Sequence, residues 1–155
     1  MPIEIERKFL VRKDFWYAIQ KPEGEEILQG YLVSEPALTI RIRITDKNCF
    51  LTIKGPSKNA SREEFEYPVP CKDAREIFDL FAKNKIEKTR YRLQVEGKTW
   101  EVDEFFGDNE GLIVAEIELE KEDEIFNQPQ WLGEEITVDE RYKNSTLAAH
   151  PFTTW

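Results

Sequence analysis

A chain of 155 residues and 18.3 kDa makes one domain with a real core and has no room for two. With 40% hydrophobic and 34% charged residues it reads as globular and soluble, and no run reaches the roughly 18 apolar residues of a membrane span. A net charge of −9 excludes the basic footprint of a generic nucleic-acid binder, and at first sight it also speaks against a polyanionic ligand. That charge is unevenly spread, however. Residues 1–99 carry 19 Lys/Arg and 16 Asp/Glu, whereas residues 100–155 carry 3 and 15. The N-terminus has no apolar signal-peptide stretch. Cys49 and Cys71 lie too far apart in sequence for a CxxC pair and read as packing residues, which points to a reducing, cytoplasmic compartment.

In chain order, residues 3–12 alternate with period two and predict a strand. Residues 13–20 predict a short helix or an irregular aromatic segment, and Lys21-Pro22-Glu23-Gly24 a turn. Strands follow at 26–34, interrupted by Gly30, then at 37–45, 49–55 and 61–69. Ala74, Ile77, Phe78 and Phe81 recur at helical spacing, predicting an amphipathic helix over 72–83 with all four in the core. Three more strands are expected at 85–95, 98–106 and 111–121, the first two joined by Glu96-Gly97. Residues 122–128 suggest a short helix, and ERYKNSTLAAHP one helical turn. The short connections make neighbours antiparallel. The expected fold is mostly β (α+β): an eight-stranded, closed antiparallel barrel with helices packed outside, a single domain over 1–155.

The alternation has an unusual polarity. One face is charged at every second position: Glu4, Glu6 and Lys8; Arg41 and Arg43; Lys54; Arg62, Glu64 and Glu66; Lys88, Arg90 and Arg92; Glu101 and Asp103; Glu116, Glu118 and Glu120. The opposite face carries Ile40, Ile42, Ile44, Tyr91, Leu93, Ile117 and Leu119. Acids and bases are sorted largely by strand. A barrel with its apolar face outward under helices would enclose these charges, and buried charge at this density has to pair or hold a ligand. Clustered Arg and Lys grip phosphate oxygens; clustered carboxylates hold a hard divalent cation.

These residues carry a family resemblance. Glu4-x-Glu6-x-Lys8 is the ExExK pattern of the CYTH superfamily, the triphosphate tunnel metalloenzymes. Gln29-Gly30-Tyr31-Leu32, Arg41-x-Arg43, Thr52-Ile53-Lys54, Arg62-Glu63-Glu64-Phe65-Glu66, Glu87-Lys88-Thr89-Arg90-Tyr91, Glu101-Val102-Asp103 and Ala115-Glu116-Ile117-Glu118 follow in order, and the ending Arg141-Tyr142-Lys143-Asn144 resembles the short bacterial members. The resemblance implies a barrel that binds a small-molecule triphosphate with Mg2+ or Mn2+; for the mechanism two ions per site are expected, one holding the triphosphate and one activating water. It implies metal ligands Glu4, Glu6, Glu116 and Glu118, with Glu64 and Asp103 as further candidates. It also implies a triphosphate lining of Lys8, Arg41, Arg43, Lys54, Arg62, Lys88 and Arg90. If neighbouring cations lowered its pKa, Lys8 would act as a base with Tyr31; Glu4 and Glu6 oppose that shift. Lys143 is a candidate for closing one barrel mouth.

The expected activity is metal-dependent hydrolysis of inorganic triphosphate. The alternatives are a class IV-type adenylyl cyclase, a thiamine or nucleoside triphosphatase, and a non-enzymatic polyphosphate or nucleotide sensor. No nucleic-acid or membrane partner is expected, and a homodimer is left open. Gly97-Lys98-Thr99 lacks the earlier glycine of a P-loop and reads as a hairpin turn; His150 reads as a surface residue.

Overall fold

Strict alternation makes the strands, and their order closes them into a ring. The computed structural model describes residues 3–155. The strands are β1 (Ile3–Val11), β2 (Glu25–Glu35), β3 (Leu38–Ile44), β4 (Cys49–Lys54), β5 (Ser61–Val69), β6 (Asn84–Val95), β7 (Lys98–Phe105) and β8 (Ile113–Glu118). They run antiparallel around the barrel as β1-β5-β4-β3-β2-β6-β7-β8 and back to β1. β1 closes the ring: Ile3–Ile5 pair with β5 on one edge, and Glu6–Leu10 pair with β8 on the other. Beyond the end of β5, a short ninth strand, β9 (Leu132–Glu135), takes over that edge of β1. Closure leaves no long strand edge unpaired.

The expected inversion of polarity is present. In β3, Ile42 and Ile44 point outward and are buried, while Thr39, Arg41 and Arg43 line the interior. The outer apolar face is covered in two places. Helix α1 (Lys13–Ala18) and the 119–131 loop bring Trp16, Phe126 and Trp131 onto Phe9, Trp100, Val102 and Ile117. Trp131 meets Trp16 and Trp100 edge to face, with ring centroids 5.6 and 5.7 Å away. Helix α2 (Cys71–Phe81) lays Ala74, Ile77 and Phe78 on Ile42, Ile44 and Leu28. Burying each large apolar side chain is worth about 1.5–3 kcal/mol. A Cβ on Gly30 would stand 2.5 Å from the Phe78 ring, so the glycine that interrupts β2 is what lets α2 reach the sheet. Phe81, expected in the core stripe, is 59% exposed because the helix ends on it and Ala82 is already extended.

The cysteines correct the sequence reading. Cys49, at the start of β4, and Cys71, at the start of α2, form a disulfide with Cα atoms 5.3 Å apart. They are 22 residues apart along the chain, but α2 doubles back over β4. Closing a loop of this length contributes about 3 kcal/mol on a chain-entropy basis, and cysteine usage therefore no longer argues for a reducing compartment. No helix among the described residues is long and apolar enough to cross a membrane.

Residues 122–128 form a turn at 122–123 and then irregular chain rather than the expected helix, held by Glu124 through its bond to the Glu120 N–H and its ion pair with Lys98. The tail does form helix α3 (Asn144–Ala149), and it enters one end of the barrel. There Leu147, Tyr142 and Ile136 pack on the inward-facing Tyr31, Ile86, Phe105 and Val114. The barrel interior is thus apolar at this end and charged along the remainder.

Candidate active site

The charged part of the interior is a cavity of about 460 Å³. Cross-strand register decides which side chains meet in it. Across β1 and β8, Glu6 faces Glu118 and Lys8 faces Glu116; across β7 and β8, Glu101 faces Glu116. Carboxylates directly opposite one another repel, and Lys8 lies between them, 3.9 Å from Glu6 and 3.8 Å from Glu116. Lys54 of β4 reaches Glu4 at 3.0 Å and Glu64 at 3.1 Å, and Arg62 stands 3.6 Å from Glu4. Arg41 and Arg43 of β3 and Lys88 and Arg90 of β6 supply the basic side of the wall. Eight cationic and eight acidic side chains line the cavity, so its own charge is balanced although the chain carries −9.

Every expected triphosphate-contacting residue lines this cavity: Lys8, Arg41, Arg43, Lys54, Arg62, Lys88 and Arg90. So do Tyr31 and the acids Glu4, Glu6, Glu64, Glu116 and Glu118. Asp103 does not. It is 1% exposed and sits behind the wall, where Oδ1 accepts from Arg90 Nε at 2.8 Å. Its Oδ2 accepts from Arg90 at 2.9 Å and from Lys88 Nζ at 2.8 Å. The two cations hold its carboxyl far below the usual range despite burial. Burial pushes Lys88 down to about 7, with Asp103 opposing and Arg90 and Arg43 adding to the fall.

The pKa shift that a Lys8–Tyr31 base would need runs the other way among the protein's own groups. Burial favours the neutral amine of Lys8, but Glu116 and Glu6, with Glu4, outweigh it and hold the ammonium above its ordinary 10.5. The Tyr31 hydroxyl accepts from Gln29 Nε2 at 2.9 Å, and no hydrogen bond joins it to Lys8. Lys143, the expected closure residue, pairs with Glu140 at 2.7 Å beside a small cleft it shares with Arg62. Its neighbours Asn144 and Ser145 line the main cavity instead, and Asn144 accepts from Lys88 Nζ at 2.8 Å. Sequence reasoning left Gln29, Asn144 and the mouth residues Asn48 and Phe50 without roles. The pattern of charges gave no sign of these neutral side chains.

The acidic sector fits a hard divalent cation. Glu118 has no cation within ion-pair distance among the described residues. Burial first, and then Glu4, Glu6, Glu64 and Glu101, raise its carboxyl above the ordinary 4.5. Burial acts the same way on Glu64, yet its carboxyl lies below the ordinary 4.5, with Lys54 at 3.1 Å and Arg41 favouring the charged form. Among the described residues no three acids close into a cage of their own. A magnesium-type ion does not need one, since it takes one or two carboxylates and completes its shell with phosphate oxygens and water. Because the folded pKa of Glu118 is raised, its stabilising contribution is present below 4.5 and lost as pH rises through the folded value. Glu118→Gln is therefore expected to raise the melting temperature in EDTA at pH 7 and to weaken Mn2+ binding, read by calorimetry. A lower melting temperature together with unchanged Mn2+ affinity would contradict both parts.

Arg41 adds a second sign of an anionic ligand. Its side chain is buried, its nearest carboxylate is Glu66 at 3.8 Å, and its Nε has no hydrogen-bond partner. A buried donor left unmatched costs about 1–3 kcal/mol, and a phosphate oxygen in the cavity would satisfy it.

A closed barrel lined by cations and carboxylates sorted by strand defines a site suited to a small polyanion. A family model for the CYTH domain matches residues 2–149, and the chain belongs to that family. It is 46% identical over 150 residues to an inorganic triphosphatase of Acetivibrio thermocellus, covering 96% of this chain and 95% of the other. It is 35% identical over 153 residues to an inorganic triphosphatase of Nitrosomonas europaea, with coverages of 94% and 96%. A solved structure of an inorganic triphosphatase superposes with a TM-score of 0.65 at 33% identity, covering 94% of this chain and 97% of that one.

Proposed function

We propose that this chain hydrolyses inorganic triphosphate inside the barrel, using Mg2+ or Mn2+, two ions per site, held on the acidic sector. The observation that carries the reading is the sorted lining: Arg41, Arg43, Lys54, Lys88 and Arg90 converge on one cavity with Glu4, Glu6, Glu116 and Glu118. Two relatives bearing the name inorganic triphosphatase align over nearly the whole chain, which supports the same substrate. Tyr31 and Phe50 are the aromatic rings in the lining, and Tyr31 is tied to Gln29, which favours a bare phosphate chain over a nucleotide.

In this mechanism Lys8, Arg41, Arg43, Lys54 and Lys88 bind the phosphoryl oxygens and counter the charge that redistributes as the terminal group leaves. Lys8 acts as a protonated contact between Glu6 and Glu116. Glu4, Glu6, Glu116 and Glu118 would hold the metal, which when bound polarises phosphoryl oxygens and lowers the pKa of water. Asp103 orients Lys88 and Arg90 rather than ligating metal. The buried, fixed wall keeps these groups in place before substrate arrives.

The test offers the protein inorganic triphosphate, ATP, thiamine triphosphate and pyrophosphate with Mg2+ or Mn2+ and measures phosphate and cyclic AMP. Turnover of inorganic triphosphate that EDTA abolishes is expected. Cyclic AMP production, preference for another triphosphate, or tight binding without turnover would each overturn the reading.

A further inference from the structure

Among the cations that line the cavity, Arg43 differs from the rest. Each of the others has a carboxylate within ion-pair distance. Arg43 has none among the described residues. Its side-chain partner is the neutral amide of Gln29, whose Oε1 accepts from Arg43 Nε at 2.8 Å and from a terminal guanidinium nitrogen at 2.5 Å. Gln29 is fully buried and is itself held. Its Nε2 donates to the Tyr31 hydroxyl at 2.9 Å and to Asn144 Oδ1 at 3.4 Å, so the amide can present only its oxygen to Arg43.

We propose that Gln29 is a positioning residue that fixes the Arg43 guanidinium for the substrate while leaving its charge uncancelled. The inference builds on the triphosphate reading above and names what tunes that site. A glutamate would make the same two hydrogen bonds but neutralise the arginine. An aliphatic residue would leave the charge without orientation. Glutamine supplies the geometry alone, and through Tyr31 and Asn144 it couples that geometry to the helix α3 end of the cavity. The state of Arg43 agrees with an uncompensated cation: burial, then Arg41 and Arg90, bring it down to about 9, where it is still charged at neutral pH.

The isosteric variant Gln29→Glu separates this role from simple packing. It gives up the donations to Tyr31 and Asn144 but pairs a buried lone cation, so it is expected to melt close to the wild-type temperature and yet to raise KM for inorganic triphosphate about 10–100-fold, the worth of one charge-assisted contact. Gln29→Met is expected to raise KM as well, with a lower melting temperature. In an Arg43→Met background Gln29→Met should raise KM no further, since its effect passes through Arg43. Gln29→Glu with wild-type KM, or Gln29→Met whose effect is undiminished in the Arg43→Met background, would overturn the proposal. If the wild-type protein turned over no triphosphate, the functional reading would fail by itself. The same variants would then be compared by calorimetric binding of inorganic triphosphate in EDTA, where weaker binding by Gln29→Glu supports the proposal and equal binding overturns it.

Discussion

Asp103→Asn is expected to destabilise the protein by about 3–5 kcal/mol, the range for removing one partner of a buried ion pair. For a domain of this size that is on the order of 10 °C in melting temperature. The substitution keeps the shape of the side chain, removes its charge and turns one of its two accepting oxygens into an NH2 group that cannot accept from Lys88 or Arg90. It leaves Lys88, 3% exposed, as a buried cation beside Arg43 with no other ion-pair partner among the described residues, and leaves Arg90, 6% exposed, with Glu101 at 3.3 Å as its remaining carboxylate. The loss should vary with pH in a defined direction. Asp103 has a depressed folded pKa, so its contribution is present above the ordinary 3.8 and fades as pH falls below it. Lys88 already has a lowered folded pKa, about 7 against 10.5, so holding its charge costs stability at low pH and progressively less as pH rises from 7 towards 10.5. Without Asp103 that amine falls further and can shed its proton. The deficit of the variant should therefore be widest near pH 5–7 and narrower at pH 9. Inorganic triphosphate should raise the melting temperature of the variant more than that of the wild type, because it returns anionic partners to the stranded cations. Melting curves across pH read all of this directly. A variant within about 2 °C of wild type at pH 6 would mean that the pair does not support the wall.

The part of the fold legible in the sequence was what each strand states alone. Arg41-x-Arg43 between isoleucines declares a charged face and an apolar face without knowing its neighbours. Where partners matter, legibility depends on register. The Glu96-Gly97 hairpin is tight and unbroken, so counting outward from Val95 opposite Lys98 puts Arg90 opposite Asp103. The structural role of Asp103 was therefore available from the sequence to a reader who paired strands rather than reading them singly. Gln29 was not available in that way. From the turn at Glu35 and Leu38, an unbroken count would set Gln29 opposite Ile44 and aim both outward. The irregularity between Tyr31 and Val33 shifts the pairing by one residue, so Gln29 faces Arg43 and Tyr31 faces Arg41 inside the barrel. The Cys49–Cys71 bond and β9 were hidden for a related reason, since each is made by a segment returning over a distant one. Phe81 shows the limit of periodicity itself: it keeps the helical spacing but sits where the helix stops.

Lys8→Met is expected to lower kcat for inorganic triphosphate by about 10²–10³-fold, the cost of losing one preorganised group that meets developing charge. The form of that loss matters more than its size. A lysine acting as a base must be neutral in the working enzyme, and removing it should then flatten a rise in rate with pH. The surroundings of Lys8 argue the other way. Glu116 and Glu6 hold it above 10.5 against the effect of burial. With a raised folded pKa its stabilising contribution is complete below the unfolded value and is lost only as pH climbs through the folded one; the proposed mechanism keeps Lys8 protonated from pH 6 to 9. The Lys8→Met rate should accordingly lie below the wild-type rate by a constant factor across that range. Lys8→Arg, which keeps charge but not shape, should recover part of the rate. Tyr31→Phe tests the other half of the pair. Its hydroxyl serves Gln29, so its loss should act on KM in the manner of a disturbed Arg43 and leave the pH profile unchanged. A Lys8→Met deficit that widens with rising pH would restore the base, because only a residue that must deprotonate gives that slope.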